Sequence, residues 1–128
     1  MSVPIQNGIV QELKLIEGAS LAADIVSIAQ DIRFFQLGSM QITWSNASNK
    51  SGLFLPQVSL DLQNWCNIID IADAATTDTV ETCSFYAFDI SPFPYMRLVY
   101  THGTNTGGTF TVRTFFKKMN TGITWRAL

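Results

Sequence analysis

The stretch VSLDLQNWCNI, residues 58–68, decides the fold when it is read with YMRLVYT, residues 95–101. In the first stretch an apolar run ends at a polar turn, and Trp65 opens the next run. In the second stretch aromatic, aliphatic and Arg side chains alternate between two faces, as side chains do along a β-strand. Short alternating runs joined by tight polar turns predict a small antiparallel β-sandwich. Neither stretch contains a pattern typical of a catalytic centre.

Similar runs recur along the chain, separated by polar, glycine-containing or proline-containing segments. They predict strands at residues 24–33, 40–45, 53–61, 65–68, 79–90, 95–101 and 110–118. Pro56 places its strand at an edge or a bulge, because proline cannot donate a ladder hydrogen bond. Gly38 suits a corner with a positive φ. Seven or eight short strands at this spacing predict an all-β, jelly-roll-like antiparallel sandwich.

The chain is predicted to divide into an N-terminal arm, residues 1–20, a β-sandwich domain, residues 21–119, and a C-terminal tail, residues 120–128. The apolar residues of the arm should dock on the protein's own core or on a neighbouring subunit. Trp125 should likewise fold back or anchor a neighbour, since burying an aromatic side chain contributes ~1.5–3 kcal/mol. The interface candidates at the two ends are Ile9, Val10, Leu13, Leu15, Ile123, Trp125 and Leu128.

Composition limits the classes of function. Charged residues make up only 14 % of the chain, and a surface this poor in charge fits an assembly component whose faces are covered by neighbouring subunits. The net charge is −2 and the eight basic residues are dispersed, so no basic patch for nucleic acid is expected. The chain has no apolar run long enough to span a bilayer and no evident signal peptide, which predicts a soluble product made in the cytoplasm without membrane contact.

The order of these motifs resembles that of small β-sandwich domains among the virion structural proteins of tailed bacteriophages. The resemblance spans about residues 24–118 and is carried by Ile42-Thr43-Trp44, Val58 to Ile68, Phe88-Asp89-Ile90, Tyr95 to Thr101 and residues 107–112. It implies a non-enzymatic virion protein that decorates or cements the capsid, or else a small part of a spike or fibre. The implied partners are the major capsid protein or other virion proteins, together with further copies of the chain.

One position departs from the pattern of that family. Such domains usually carry Asp-Gly in the turn before Asn-Trp, whereas Leu62 follows Asp61 here. Because an L-residue disfavours a left-handed turn, the loop should be rebuilt and should expose Leu62.

A carbohydrate-binding module is the alternative from another class. Discoidin-like sandwiches also place Asn-Trp after a turn, and glycan sites use exposed aromatic faces. Trp44, Trp65 and Tyr95 are expected in the core. Arg97 is expected there too, in an ion pair with a carboxylate such as Asp89, and the alternative is that it faces a neighbouring subunit. Phe93, between two prolines at a loop tip, is the better exposed aromatic and a further interface candidate.

Catalytic groups are scarce. His102 is the sole histidine and no plausible base accompanies Cys66 or Cys83, so neither an enzyme nor a cofactor is expected. The two cysteines should be small buried hydrophobes, or else form one bridge between neighbouring strands. A loop rich in acidic residues lacks EF-hand spacing and should be solvated rather than bind calcium; its members are Asp70, Asp73, Asp78 and Glu81.

Overall fold

The computed structural model describes residues 8–48, 51–77, 82–90 and 92–119. Over these residues the chain forms ten strands and one 3-10 turn, Ile71–Asp73. In chain order the strands are β1 (Gly8–Ser20), β2 (Ile25–Val26), β3 (Gln30–Asp31), β4 (Leu37–Ser45), β5 (Leu53–Ser59), β6 (Cys66–Asn67), β7 (Ala75–Thr76), β8 (Cys83–Asp89), β9 (Tyr95–Thr101) and β10 (Thr109–Met119). The all-β prediction is confirmed, and the count exceeds eight because four strands have only two residues.

The strands form two antiparallel sheets that pack face to face. The four-stranded sheet has the order β1-β10-β4-β8, and the six-stranded sheet has the order β2-β9-β5-β6, with β3 paired to β9 and β7 to β5. The core lies between them and includes Met40, Ile42, Trp44, Phe54, Met96, Leu98, Tyr100, Phe110, Val112 and Phe116. The predicted antiparallel β-sandwich is therefore confirmed.

Phe54 of β5 occupies the centre of this core. Its buried ring lies with its centroid 5.3 Å from that of Trp44, 4.7 Å from that of Tyr100 and 5.3 Å from that of Phe110. Tilted and edge-on aromatic pairs at these separations add to the stabilisation that burial itself provides. The Phe54 ring thus contacts aromatic side chains from both sheets.

Most of the predicted arm is an edge strand of the sandwich. Residues 8–20 form β1, which pairs antiparallel with β10 and contains two irregularities of register after Lys14. Leu15 is buried in the core, Val10 is half-buried, and Leu13 is 36 % exposed at the edge. The docking expected of this segment therefore takes place on the protein's own sheet. Residues 1–7 lie outside the described ranges.

The segment predicted as one strand at residues 24–33 contains the two short strands β2 and β3. Between them Ser27 keeps only half of the pairing with β9: its backbone N–H donates to the Leu98 carbonyl at 2.9 Å, but the backbone N–H of Leu98 donates to the Ser27 hydroxyl at 2.9 Å. A side-chain acceptor here takes the place of a backbone carbonyl, as Ser commonly does. Leu21 and Ile32 nevertheless reach the core on either side.

Gly38 does not form the predicted corner. It lies inside β4 and is absent from the described glycines with positive φ, which are Gly18, Gly103 and Gly108. A Cβ at Gly38 would lie 2.8 Å from Cδ1 of Phe116, so the glycine is needed for close approach of a core ring. The prediction of a positive φ was wrong because the reason for the glycine is packing.

Pro56 lies in β5, between β9 on one side and two short strands on the other. β7 pairs with residues 53–54 and β6 with residues 57–58, so Pro56 faces the gap between them. Its carbonyl accepts from the backbone N–H of Ile68 at 3.0 Å. Since the N and O of a strand residue point to the same side, the missing donor of Pro56 also faces this gap.

Candidate functional site

The burial of the side chains along β9 shows which of the two faces of this strand points into the core. Met96, Leu98 and Tyr100 are at most 1 % exposed, whereas Tyr95 and Arg97 lie half-exposed on the opposite face. The core placement predicted for Tyr95 and Arg97 was therefore wrong. Both faces of this strand carry large side chains, and alternation alone does not distinguish the inner face from the outer one.

Trp65 lies outside the core cluster, contrary to the prediction, and packs against Arg97. The guanidinium carbon is 4.2 Å from the centroid of the Trp65 ring system, and Nε of Arg97 donates to Oε1 of Gln57 at 2.9 Å. Nε2 of Gln57 in turn donates to Oδ1 of Asn67 at 3.0 Å. These four residues are called the Trp65 cluster below. Partial burial lowers the pKa of Arg97, because the charged form loses solvation.

The prediction of an ion pair between Arg97 and Asp89 is also wrong. Asp89 ends β8 in the four-stranded sheet, whereas Arg97 lies on the outer face of the six-stranded sheet. Gln57 directly opposes Arg97 across the β5–β9 ladder and therefore accepts its hydrogen bond. Trp44, in contrast, is 5 % exposed and lies in the core.

The turn before Trp65 keeps its left-handed residue despite the absence of glycine. Leu62 has φ +65° and is 48 % exposed, so the predicted exposure is confirmed and the predicted rebuilding is wrong. Oδ1 of Asp61 accepts from the backbone N–H groups of Gln63 and Asn64 at 2.9 and 2.8 Å, while the backbone N–H of Leu62 donates to the Ser59 hydroxyl at 3.0 Å. The backbone N–H groups of Asn64 and Gln63 hold the pKa of the Asp61 carboxyl well below its usual range.

Phe93 is half-buried and packs against the core, so it is less exposed than predicted. Its backbone N–H donates to the carbonyl of Ile90 at 2.9 Å, which closes the proline-flanked turn. Phe93 lines a groove of about 330 Å³ next to Leu60, which is 72 % exposed. This groove is small and largely apolar.

The outer face of the four-stranded sheet carries exposed apolar side chains. Phe85 is 63 % exposed, Leu37 44 % and Phe115 37 %, and they line two adjoining grooves with Ser39. The outward side chains of β10, β4 and β8, three of the strands in the four-stranded sheet, are called the four-strand face below. Sequence reasoning missed this surface because β8 carries aromatic side chains in both phases of its alternation.

A second set of exposed apolar side chains lies along one edge of the six-stranded sheet. Val26, Ile28 and Phe34 are 55 %, 68 % and 70 % exposed and lie in or beside β2 and β3. Residues 25–34 are called the edge segment below. The guanidinium of Arg33 lies 5.9 Å from the Phe34 ring centroid and forms an ion pair with Asp31 at 2.6 Å.

A buried polar network joins the loops at one end of the sandwich. The Thr77 hydroxyl accepts from the backbone N–H of Gly52 at 2.8 Å and from Nδ2 of Asn105 at 2.6 Å. The hydroxyl of Tyr100 donates to the carbonyl of Leu21 at 2.7 Å. Thr77 and Asn105 are at most 2 % exposed, so the network gives these loops one arrangement.

The titratable groups singled out in the sequence are dispersed. Cys66 and Cys83 are free and exposed, so the predictions of burial and of a bridge are both wrong. His102 contacts Asp24, whose pKa is lowered chiefly by the hydrogen bond from the His102 backbone N–H. Within the described ranges, no three His, Cys, Asp or Glu side chains group closely enough to hold a metal ion. Asp78 and Glu81 lie outside those ranges.

The remaining interface candidates lie at the chain ends. Ile9 pairs with Lys118 in the β1–β10 ladder. Ile123, Trp125 and Leu128 lie outside the described residues, so the contacts expected of them stay predictions. Over the described residues, no helix has the length and apolar character needed to cross a bilayer.

Comparison with known proteins identifies the fold. No protein-family model matches the chain, and a search of curated proteins also finds no match. Among solved structures, the SPBc2 prophage-derived protein YomS is similar, with a TM-score of 0.58 and 12 % sequence identity. The alignment covers 91 % of this chain and 100 % of that chain. The chain is therefore a β-sandwich whose fold is shared with a prophage-derived protein.

Proposed function

We propose that this protein is a non-enzymatic structural protein of a phage virion, made in the host cytoplasm and bound to the capsid as a decoration, or cement, protein. The observation that carries the proposal is the exposure of large apolar side chains within strands of both sheets, as at Phe85 and Val26. Exposed apolar surface of this kind marks interaction sites. The fold shared with a prophage-derived protein supports a phage origin.

The edge segment is the surface that we assign to the capsid. Its apolar side chains extend along a sheet edge made of strands of only two residues, where the backbone offers little regular ladder to a partner. Side-chain burial must then supply the affinity, at about 25 cal/mol per Å² of apolar surface removed from water. The partner is the major capsid protein or another virion protein, and no nucleic acid or membrane is required.

The first test is the copy number of the chain in purified particles. Quantitative mass spectrometry would compare it with the major capsid protein. A decoration protein should be present in numbers comparable to those of the capsid subunit. A few copies per particle would reject decoration in favour of a spike or fibre, and complete absence would reject a place in the virion.

A second test locates the contact on the molecule. The variant Val26→Ser/Ile28→Ser should bind particles that lack the protein less well, since it removes apolar area from the edge segment. The matched control is Ile71→Ser, because Ile71 is 62 % exposed in the 3-10 turn on the side of the sheet away from β2 and β3. Equal loss of binding in both variants would refute the assignment of the edge segment.

The Trp65 cluster favours a second candidate, a spike or fibre component that binds host glycans. A half-exposed indole next to the side-chain amides of Gln57 and Asn67 offers both stacking and hydrogen bonds to a sugar. Arg97 covers one face of the Trp65 ring system, which leaves only the other face for stacking. Binding to a panel of host-surface glycans that is lost in Trp65→Ala would support this candidate over decoration.

A further inference from the structure

The four-strand face is organised in rows, because antiparallel pairing aligns the outward residues of its three strands. β4 lies in the middle, with β10 on one side and β8 on the other. Each row runs from β10 through β4 to β8. The rows are Lys117–Leu37–Asp89, Phe115–Ser39–Ala87 and Arg113–Gln41–Phe85.

The two flanks of β4 differ in charge and in size. The β10 side carries the cations Lys117 and Arg113, whereas the β8 side carries the carboxylate of Asp89. In the middle row the bulky member, Phe115, lies on the β10 side and the small member, Ala87, lies on the β8 side. The two flanks therefore complement each other row by row.

We infer that a second copy of this chain packs on the four-strand face, about a two-fold axis that runs along β4 in the plane of contact. Such an axis keeps the position of each row along the strands, so a row in one copy faces the same row in the other. It reverses the direction of the row across the sheet. The β10 end of a row then faces the β8 end of the same row in the other copy. An isologous dimer needs this self-complementarity, since one surface must fit itself.

Each row gains a specific contact under this operation. Lys117 meets Asp89 of the second copy, and the two Leu37 side chains meet at the axis. Every ion pair made by this row occurs twice in the dimer. The ion pairs also favour this register, because a copy shifted by one row would place Lys117 opposite Ala87 and Asp89 opposite Phe115.

The other two rows match in shape and in polarity. In the middle row, Phe115 fills the space above Ala87 of the second copy, while Ser39 leaves room at the axis. In the third row, the Arg113 guanidinium covers the exposed ring of Phe85 of the second copy, a cation–π arrangement. Sheets packed face to face lie ~10 Å apart and cross at about −30°, so the axis bisects the two β4 directions at about 15° from each, and the rows stay in register best near the centre of the face.

The size of the face indicates a weak dimer. Three strands at ~4.8 Å spacing and three rows along them, ~6.8 Å apart, offer roughly 300 Å² per copy. A standard stable interface buries about 800 Å² per partner. The dimer should therefore dissociate readily in dilute solution and form where copies are concentrated, as on a particle surface.

This inference deepens the proposed function, in which further copies of the chain are partners, but its test needs no particles. Sedimentation velocity over a wide range of concentration should show a reversible monomer–dimer equilibrium for the full chain. Failure here with normal copy number in particles would reject this dimer and leave the decoration role intact. A dimer in solution with no copies in particles would reject the decoration role alone.

Charge reversal tests the arrangement itself. Lys117→Asp should weaken self-association at least about tenfold, because two like-charged pairs would face each other, and Asp89→Lys should do the same. An equimolar mixture of the two variants should associate again, since each Asp at position 117 then faces a Lys at position 89. Restoration in the mixture requires that residue 117 of one copy faces residue 89 of the other.

The control is Lys118→Asp, which makes the same change at the next residue of β10, whose exposed side chain alternates to the opposite side of the sheet from Lys117. It should associate like the unmodified protein. Circular dichroism melting curves would verify that every variant is folded, and Ala87→Arg offers a steric block that changes no ion pair. A mixture that stays monomeric, or an Ala87→Arg variant that associates normally, would overturn the inference.

Discussion

Leu62 offers a test of whether backbone conformation, rather than side-chain contact, sets the stability of the turn before Trp65. Leu62 has φ +65° and Leu60, two residues earlier, is not among the described residues with positive φ. Both side chains are at least 48 % exposed. Both the Gly and the Ala variant remove the Leu side chain beyond Cβ. The difference between their free energies of unfolding therefore reports the backbone conformation at each position.

The expected difference changes sign between the two positions. A left-handed conformation costs an L-residue about 1–2 kcal/mol. Glycine lowers the free energy of unfolding by about 0.5–1 kcal/mol relative to alanine, because its unfolded chain has greater conformational freedom. At position 62, Leu62→Gly should therefore be more stable than Leu62→Ala by about 0.5–1 kcal/mol. At position 60 only the entropy term applies, and Leu60→Gly should be less stable than Leu60→Ala by a similar amount.

Urea unfolding followed by tryptophan fluorescence would measure the four variants, with the unmodified protein as the reference. In a domain of this size, each kcal/mol corresponds to a shift of roughly 3–4 °C in Tm, so differential scanning calorimetry gives an independent value. Equal signs at the two positions would refute the view that Leu62 is held in a strained conformation by the bonds of Ser59 and Asp61.

Three further perturbations test the core, the turn and the loop network. Phe54→Ala should lower the free energy of unfolding by about 3–5 kcal/mol, measured by urea unfolding, because it leaves a cavity among three aromatic rings; a loss below 1 kcal/mol would contradict the central position of this ring. The carboxyl of Asp61 has a lowered pKa in the folded state, so its stabilisation is present above the unfolded pKa of ~3.9 and is lost as pH falls through the folded value. Asp61→Asn should accordingly lower Tm at pH 7 and make Tm depend less on pH below ~4, whereas parallel pH curves would exclude this role. Thr77→Val should cost about 1–3 kcal/mol for each donor left without its acceptor, namely the Gly52 N–H and Asn105 Nδ2, and an unchanged free energy of unfolding would show that water replaces the hydroxyl.

The elements that could be predicted from sequence are those whose pattern is local. In residues 40–45 of β4 the outward residues are polar and the inward ones are Met40, Ile42 and Trp44, so only one face could be buried. The turn at residues 59–64 was visible for the same reason, because Asp61 and Asn64 bond to backbone groups only a few residues away. Period-two alternation and Asx turns need no information from distant parts of the chain.

The candidate surfaces were harder to predict because they depend on contacts between distant segments. Leu13 and Leu15 look like an adhesive arm in the sequence, and only pairing with β10, about a hundred residues later, shows that β1 belongs to the sheet. The four-strand face exists because β8 turns Phe85 outward and Tyr86 inward. When a strand carries large residues on both faces, its sequence does not show which face is buried. The packing of the two sheets decides it.

The sequence by itself therefore determined the class of fold, the positions of β4, β5, β9 and β10, and the turn before Trp65, because these follow from neighbours along the chain. The tertiary structure alone decided which face of β9 is buried and which partner Arg97 takes. Burial of Met96, Leu98 and Tyr100 against the opposite sheet outweighs the alternative of burying Arg97, since an unpaired buried charge costs far more than apolar burial returns. That preference places Trp65 and Arg97 on the surface.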